Sequence, residues 1–562
     1  MSRKTLAGVL VAILLLGASV LLALDRIYQV DELQNVFMAR ILGRGLASEY
    51  ETNAGIFLFG PMSMLARHAQ RSASLLVSCR LLFLGLFWIN IFLLAHLAGT
   101  RIRSRGGGLL LLGAATLAPL WDYGMEIRHD NVLLFELLVL WALGRTWVSR
   151  LGARRAYVAI GLMAALMQLT AFKGFLYAVP ACSILLMCPH PTVVLSRRRL
   201  LVLLMSGSLL GSALGTAFHL AQGTWRTFIA VIAGSVGVSV ELSQAPAGPS
   251  PSHVAALSRI VTQTPLLACA LLVFTWLAAR ELVSKGRGWF RGATYGPEAL
   301  LLLAGLGAFL VNPTPFPYIL VLLVPQAFLA AARLEPALSE RLGRRGDGTA
   351  PVIALLVAAQ VIPFLLHTVR HLGFPSTRQV LLADVAESLT DPVADRVWDG
   401  VGLVSTRESI GFNWFLHSLN IDRFRDGTRP PIRTMLASKP AAVVIRNYRT
   451  DWLPAEDQDF LRRQYVALSD ELLVLGGTVP AGGGAWTCLH GGRYVVMGVS
   501  GETPREVSVD GLPIGGRPVE MKAGPHTISS PSACVVAWVG PRLDRLPFIG
   551  RGDHRRLFAG WY

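Results

Sequence analysis

The chain has 562 residues, 53% of them hydrophobic and only 15% charged, with a mean hydropathy of +0.50. That balance excludes an ordinary soluble protein and indicates a polytopic membrane protein. The net charge of +17 does not mark a nucleic-acid binder: residues 1–374 carry 31 Lys and Arg against 15 Asp and Glu, whereas residues 375–562 carry 21 against 20. The excess sits in the apolar half, where loop charges set topology, and not on a polyanion-binding surface.

The opening "MSRKTLAGVLVAILLLGASVLLAL" joins a basic start to an apolar run of roughly 20 residues, enough to cross about 30 Å of hydrocarbon. Alone it fits a cleaved signal peptide; with so many apolar runs behind it, an uncleaved first span is the better reading. Further apolar runs fall at 77–99, 107–121, 131–149, 156–171, 174–188, 200–220, 260–279, 296–311, 317–333 and 350–368. The predicted fold is mainly α, a polytopic helical membrane protein with about 11 transmembrane helices. The runs at 107–121 and 156–171 are short for an untilted crossing and allow a re-entrant reading.

Basic clusters at the N-terminus and at 101–105, 145–155, 196–199, 280–291 and 340–345 occupy every second connection, which puts them together on the cytoplasmic side. The opposite face, the periplasm of a bacterium, then holds residues 25–75, 121–130, 172–174, 221–259, 312–316 and everything after about 370. The expected location is a bacterial inner membrane, multi-pass, with the chemistry on the outer face.

After residue 374 the composition turns mixed. "AAVVIRNY" reads as a buried strand and "PAEDQDFLRRQY" as a helix opened by Pro454 with early acids. "RYVVMGVSG", "REVSVDG", "HTISS" and "ACVVAWVG" read as short strands of a small antiparallel sheet or sandwich. Residues 1–374 are thus expected to form the membrane domain, and residues 375–562 a periplasmic soluble domain, α/β and then β-rich. Cys488 and Cys534 lie in this outer part, where a disulfide is one option that their spacing does not decide. Cys182 and Cys188 read as apolar fillers inside spans.

The polar residues needing an account all fall on the outer face. Asp31 and Glu32 follow the first span, and Leu33, Val36, Phe37, Ile41 and Leu42 recur behind them at helical spacing. This predicts an amphipathic helix on the membrane surface, with Asp31 at the N-cap and Glu32 in the first turn. Capping and helix-dipole effects of about 1 kcal/mol account for both acids without any catalysis. "WDYGMEIRHDN" crowds Asp122, Glu126, Arg128, His129 and Asp130 into a connection that needs only a turn, and a salt-bridged solvated loop is the plain alternative. Glu136 lies about two turns farther along, where a carboxylate usually faces a polar cavity. Lys173, beside Gly174, is the one cation of its connection; it suits snorkelling or a phosphate. "NPTPFPYILVLLVP" breaks helix near Tyr318, and Arg370 with His371 closes the last span. The Pro-, Ser- and Gly-rich run 238–257 reads as a loop, with gating of an entrance as its functional option.

Acids together with cations on one face are what transfer from a phosphorylated lipid requires: a carboxylate to take the acceptor's proton, and cations for the charge on the leaving phosphate. Three stretches carry a resemblance. "DELQNVFMARILGRG", "EIRHDNVLLFELLVLWALG" and "LTAFKGFLYAVP", supported by "PFPYILVLLVP", resemble the outer loops of the polyprenyl-phosphate-sugar glycosyltransferases of the C superfamily (GT-C). That group contains the protein O-mannosyltransferases and the lipid A aminoarabinose transferases. The resemblance covers residues 1–335 and leaves the tail without a motif.

It implies an integral-membrane inverting glycosyltransferase that moves a sugar from a polyprenyl-phosphate donor to a glycan, lipid or protein acceptor. It further implies Asp31 as general base with Glu32 as its support, and Asp130 as a second catalytic carboxylate. Lys173, Arg128, Tyr318 and Arg370 would hold the donor phosphate; Glu126, His129 and Asp122 would meet sugar or acceptor. His129 stands where relatives often carry Pro, which puts the geometry of that loop in doubt. No cofactor is required by the resemblance; a divalent cation, if one is used, would fall to Asp31 and Asp130. The competing reading is a transporter or flippase of lipid-linked glycans, but such proteins place ionisable groups near the midplane between repeated halves, and no internal repeat is seen. An assembly protein merely anchored by its spans is a third reading, poorly served by so many of them.

Overall fold

The computed structural model describes residues 3–50, 56–99, 112–226, 228–229, 252–286, 295–312, 316–334, 361–362, 364–366, 368–370, 372–499 and 506–558. The basic clusters at 101–105 and 340–345, most of the loop 238–257, His371 and most of the run 350–368 lie outside these residues. Among the described residues three helices are long and apolar enough to cross a membrane: Ser72–Leu97, Arg197–Ala221 and Pro265–Lys285. Shorter apolar helices are Leu10–Asp25, Gly174–Met187, Gly296–Val311 and Pro317–Ala332.

Among the described residues, helix length alone does not bring out the expected count of about 11 crossings. The reasons are local. The run 107–121 breaks at Leu117, before a six-residue helix Ala118–Tyr123 that starts with Pro119 near its N-terminus. The run 317–333 opens as a 3₁₀ turn, Pro317–Ile319, before the helix Leu320–Ala332.

The chain divides into two compact units. The first comprises residues 1–26, 53–61 and 79–373. Its helices approach closely where glycine lets them. Gly207, Gly211 and Gly215 recur every fourth residue on Arg197–Ala221, and a Cβ on Gly207 would stand 2.0 Å from the carbonyl oxygen of Val158. Gly161, on Ala153–Thr170, meets the backbone of Leu204 in the same way. Close backbone contact through small residues replaces the hydrophobic drive that lipid cannot supply. On the other side of that helix Leu201, Val202, Met205, Leu209, Leu210 and Leu214 are exposed, an apolar surface that suits lipid and not water.

The second unit comprises residues 27–52, 62–78 and 374–562. Its strands among the described residues are β1 Val397–Trp398, β2 Val443–Ile445, β3 Tyr465–Ala467, β4 Leu472–Val479, β5 Gly484–Cys488, β6 Gly492–Gly498, β7 Ser508–Val509, β8 Leu512–Pro513, β9 Val519–Met521, β10 Gly524–Ser529 and β11 Cys534–Trp538. One sheet has the order β1-β2-β4-β11-β6-β9, with β3 also on β4; a second has the order β5-β10-β7-β8. β1 and β2 run parallel, and the other strand pairs among the described residues are antiparallel. The anticipated strand "AAVVIRNY" is β2, wholly buried, and the helix after Pro454 is Ala455–Gln464 with Glu456 and Asp457 in its first turn.

The late strands divide: β5, β10, β7 and β8 form the small antiparallel sheet that was expected, whereas β6, β9 and β11 join the first sheet, where β4 carries β2 on one side and β11 on the other. Cys488 and Cys534 are buried free thiols on strands of different sheets.

Two early segments belong to this unit by specific contacts. The backbone of Tyr28 exchanges hydrogen bonds with the Gln379 side chain at 2.8 and 2.9 Å. Glu387 accepts from the Ser72 N–H at 2.7 Å and from the hydroxyls of Ser72 and Thr406 at 2.5 Å.

The helix Val30–Gly43 is buried on most of its surface. Phe37 packs on Trp414 with ring centroids 4.2 Å apart. Gly402, at φ +91°, lets its loop reach the helix, since a Cβ there would lie 2.8 Å from Cβ of Phe37. This helix is thus a core element of the second unit, and not the amphipathic surface helix its pattern suggested. Its apolar positions are covered by the 399–414 loop, which the local pattern could not reveal.

Candidate functional site

The connection 124–131 and the turn at 171–174 bring the predicted polar residues of the first unit into one cluster. His129–Arg145 starts directly after Arg128, so Asp130 falls in its first turn, where a carboxylate complements the helix dipole. Gly174–Met187 starts directly after Lys173, which places a cation at a helix N-terminus, against the dipole. The pairing resolves the conflict: Lys173 Nζ and the Asp130 carboxylate form a direct ion pair. Gly174 lets the turn fold tightly back on the preceding helix, because a Cβ there would lie 2.1 Å from the carbonyl oxygen of Met167.

Asp130 is 1% exposed, and two more nitrogens face it: Arg128 Nε at 3.6 Å and His129 Nε2 at 3.8 Å. Lys173 keeps 21% of its side chain exposed. Arg128 Cζ lies over the ring of Tyr318, 3.6 Å from the centroid, and Lys173 Nζ lies 5.5 Å from the same centroid. Tyr318 in turn stacks on Phe316. A cation over an aromatic face is held electrostatically by the ring quadrupole.

Glu126 forms a second layer. Fully buried, it stands 3.6 Å from Arg128 Nη1 and 3.5 Å from Arg26 Nη2. Arg26 also donates to the carbonyl oxygens of Trp121 and Asp122 at 3.2 and 2.8 Å. Its own carbonyl accepts from Arg80, a fully buried arginine on the helix Ser72–Leu97. Asn131 ties the connection shut by donating to the carbonyls of Tyr123 and Glu126 at 2.8 and 2.7 Å.

Arg26, Arg80 and Asn131 were not singled out in the sequence. Arg80 carried a usable signal, an arginine within an apolar run; Arg26 and Asn131 looked like ordinary flanking residues.

The structure thus gathers Glu126, Arg128, His129, Asp130, Lys173 and Tyr318. Asp122 is buried in the neighbouring short helix. Arg370 is exposed, and no ion pair or side-chain hydrogen bond of it is found among the described residues. Glu136 is buried, with one carboxylate oxygen accepting from Thr170 Oγ1 at 2.7 Å. Asp130, already faced by Lys173 and Arg128, is a poor fit for a divalent cation, since the added charge would be repelled by both.

No family model matches the sequence, and no curated protein matches it significantly. Among solved structures, the chain is similar to the archaeal oligosaccharyltransferase AglB from Archaeoglobus fulgidus, in complex with an inhibitory peptide and a dolichol-phosphate. The TM-score is 0.47 and the identity 12%, covering 89% of this chain and 74% of that one. No residue role is taken from that likeness.

The acidic pair belongs to the second unit. Gln29, and not Asp31, precedes the helix Val30–Gly43. Glu32 Oε2 accepts from the Gln29 N–H at 2.9 Å, the return half of a capping box. The reason is that the helix starts one residue before the acids, at Val30, which moves Asp31 from the cap into the first turn. Glu32 is buried and spent on the helix end, whereas Asp31 is half-buried.

Proposed function

We propose that this chain is an integral-membrane inverting glycosyltransferase that moves a sugar from a polyprenyl-phosphate donor to an acceptor outside the cytoplasm: a cell-envelope glycan, a lipid or a protein. The observation that supports it best is the Lys173–Asp130–Arg128 cluster. A buried carboxylate fixes two cations on the short connections of an apolar helical unit, and one of them stays open to a ligand. Cations fixed in advance lower the barrier for a leaving phosphate, because no reorganisation is needed as charge develops.

In this reading Asp31 takes the proton from the acceptor hydroxyl. The acceptor oxygen attacks the anomeric carbon from the face opposite the phosphate, the bond from that carbon to the phosphate oxygen breaks, and the lipid phosphate leaves with the electron pair. Lys173 and Arg128 stabilise that charge. Asp130 is assigned as a positioning residue that holds both cations, a narrower role than the catalytic one the resemblance implied. Glu32 keeps the helix end, and Glu126 holds Arg128. No step is routed through a metal.

The test is transfer of a labelled sugar from a polyprenyl-phosphate sugar by purified protein in nanodiscs. Asp31→Asn should reduce turnover by about 10²-fold or more, the contribution of general-base catalysis, with insertion and folding intact. Lys173→Ala should raise the donor KM or lower kcat by a similar order, the scale for losing one charge-stabilising group. Normal turnover by Asp31→Asn removes the base from this reading, and unchanged donor kinetics for Lys173→Ala remove the phosphate site.

A further inference from the structure

A cavity of about 940 Å³ lies within the second unit, lined by Arg40, Arg67, Arg71, Arg407, Arg542 and Asp384 among others. We propose that it binds a ligand carrying a phosphoryl group, recognised by the guanidinium groups of Arg40, Arg67, Arg71 and Arg542. This is independent of the transferase reading, which places its phosphate at Lys173 and Arg128 in the first unit.

The charges of the cavity do not balance internally. Glu387 also lines it, accepting from Ser72 and Thr406 and keeping its charge, which acts on Arg40 and Arg407. Arg407 is buried, donating to the Thr390 hydroxyl at 2.9 Å and to the carbonyls of Glu387 and Thr390 at 2.9 and 3.1 Å. Five arginines therefore face two carboxylates, Asp384 and Glu387, and for Arg40, Arg67, Arg71 and Arg542 no ion pair is found among the described residues. Burial, and then the charges of Arg44 and Arg407, pull the Arg40 guanidinium below its ordinary range, so cations already crowd this wall.

Arg67, Arg71 and Arg542 are exposed and Arg40 is half-buried, so their mutual repulsion is screened but not removed, and an entering anion relieves it. Guanidinium presents a planar fork that matches phosphate oxygens two at a time, which favours a phosphoryl group over a single carboxylate. The size lies within the usual range of small-molecule sites, roughly 300–1,000 Å³, and a nucleic-acid duplex cannot enter it. The phosphoryl group can come from a soluble ester or from a lipid headgroup.

The experiment is titration of the full-length protein in phosphatidylcholine nanodiscs with inorganic pyrophosphate, at low ionic strength. Arg71 and Arg542 are exposed, so the double variant Arg71→Ala/Arg542→Ala should keep its melting temperature. We expect it to lose one saturable site or at least tenfold in affinity. A matched control, Arg463→Ala/Arg517→Ala, removes two exposed arginines elsewhere and should bind as wild type does. Raising the salt should weaken wild-type binding.

Equal pyrophosphate binding by wild type and the Arg71/Arg542 variant, or no saturable binding at all, overturns the proposal. Adding phosphatidylglycerol to the discs separates the sources. If it lowers wild-type pyrophosphate affinity and leaves the variant's unchanged, a lipid headgroup competes for the cavity; if wild-type affinity is unmoved, the ligand is soluble. Either result supports the cavity as a phosphoryl site.

Discussion

Asp130 and Asp31 are both acids in the first turn of a helix, yet their surroundings differ. Asp130, in the first unit, is 1% exposed and faced by Lys173, Arg128 and His129. Asp31, in the second unit, is half-buried, and its neighbour Glu32 takes over the capping duty. A carboxylate clamped by cations is a scaffold for those cations; one left partly open to solvent can exchange a proton with an incoming hydroxyl. The same contrast runs through the arginines. Arg128 is matched by Asp130 and Glu126, whereas the cavity arginines of the second unit outnumber their acids.

The largest expected effect comes from breaking the clamp. Asp130→Asn leaves Arg128, only 6% exposed at its side chain, without one of its counter-charges, and removes the partner of Lys173. Loss of one partner of a buried ion pair typically costs about 3–5 kcal/mol. The variant should therefore melt well below wild type in detergent, and its transfer activity should fall with it. Asp31→Asn, by contrast, changes a half-buried first-turn residue, where the helix-dipole contribution is about 1 kcal/mol, and should melt closer to wild type than Asp130→Asn does. Thermal unfolding of the two variants side by side separates the roles: melting of Asp130→Asn at the wild-type temperature would show that the clamp does not position anything.

How much of this was legible in the sequence differs between the two units. Glu126, Arg128, Asp130 and Lys173 could be found because charges are rare and costly in apolar sequence, so each asked for a partner. That Lys173 meets Asp130 was not readable, since it depends on how two helix starts come together across more than forty residues. The strands β2, β6, β10 and β11 showed in alternation and turn residues. The placement of residues 27–52 and 62–78 with residues 374–562 did not show, because the contacts that secure it, such as Tyr28 with Gln379 and Ser72 with Glu387, join residues more than 300 positions apart. For the same reason Val30–Gly43 looked like a surface helix: its apolar stripe is real, but the partner that buries it, around Gly402 and Trp414, is distant in sequence. The cavity arginines escaped notice because Arg40, Arg67 and Arg71 read as ordinary helix-end cations.

A smaller effect tests whether Glu32 is structural. Its carboxylate accepts the Gln29 N–H, and removing a capping interaction typically costs about 1 kcal/mol. Glu32→Ala should lower the melting temperature modestly and leave the pH profile of transfer unchanged. A shift of the basic or acidic limb of that profile would instead make Glu32 a partner of Asp31 in proton transfer, and the division of labour between the two acids would need to be redrawn.

The smallest expected effect lies at the C-terminal end of the second unit, where carboxylates are paired near the surface. His554 Nε2 stands 2.8 Å from Asp451 Oδ1, and its Nδ1 stands 2.5 Å from Asp470 Oδ2. Each ring nitrogen thus faces a carboxylate oxygen of a different acid. Burial alone would push Asp451 and Asp470 up, but the hydrogen bonds from His554 outweigh it and hold both carboxyls below their ordinary value of 3.8. The sign follows from linkage: a lowered folded-state pKa gives stability that is present above the unfolded value and lost as pH falls through the folded one. The contribution is therefore intact at neutral pH and fades below about pH 4. His554→Ala should unfold at a higher pH than wild type in an acid titration followed by tryptophan fluorescence, with the difference small because these groups are partly solvated. Identical acid midpoints would mean that Arg446 and Arg555, which also contact these acids, hold them ionised without the histidine. The contrast between clamped and open carboxylates would then rest on Asp130 and Asp31 alone.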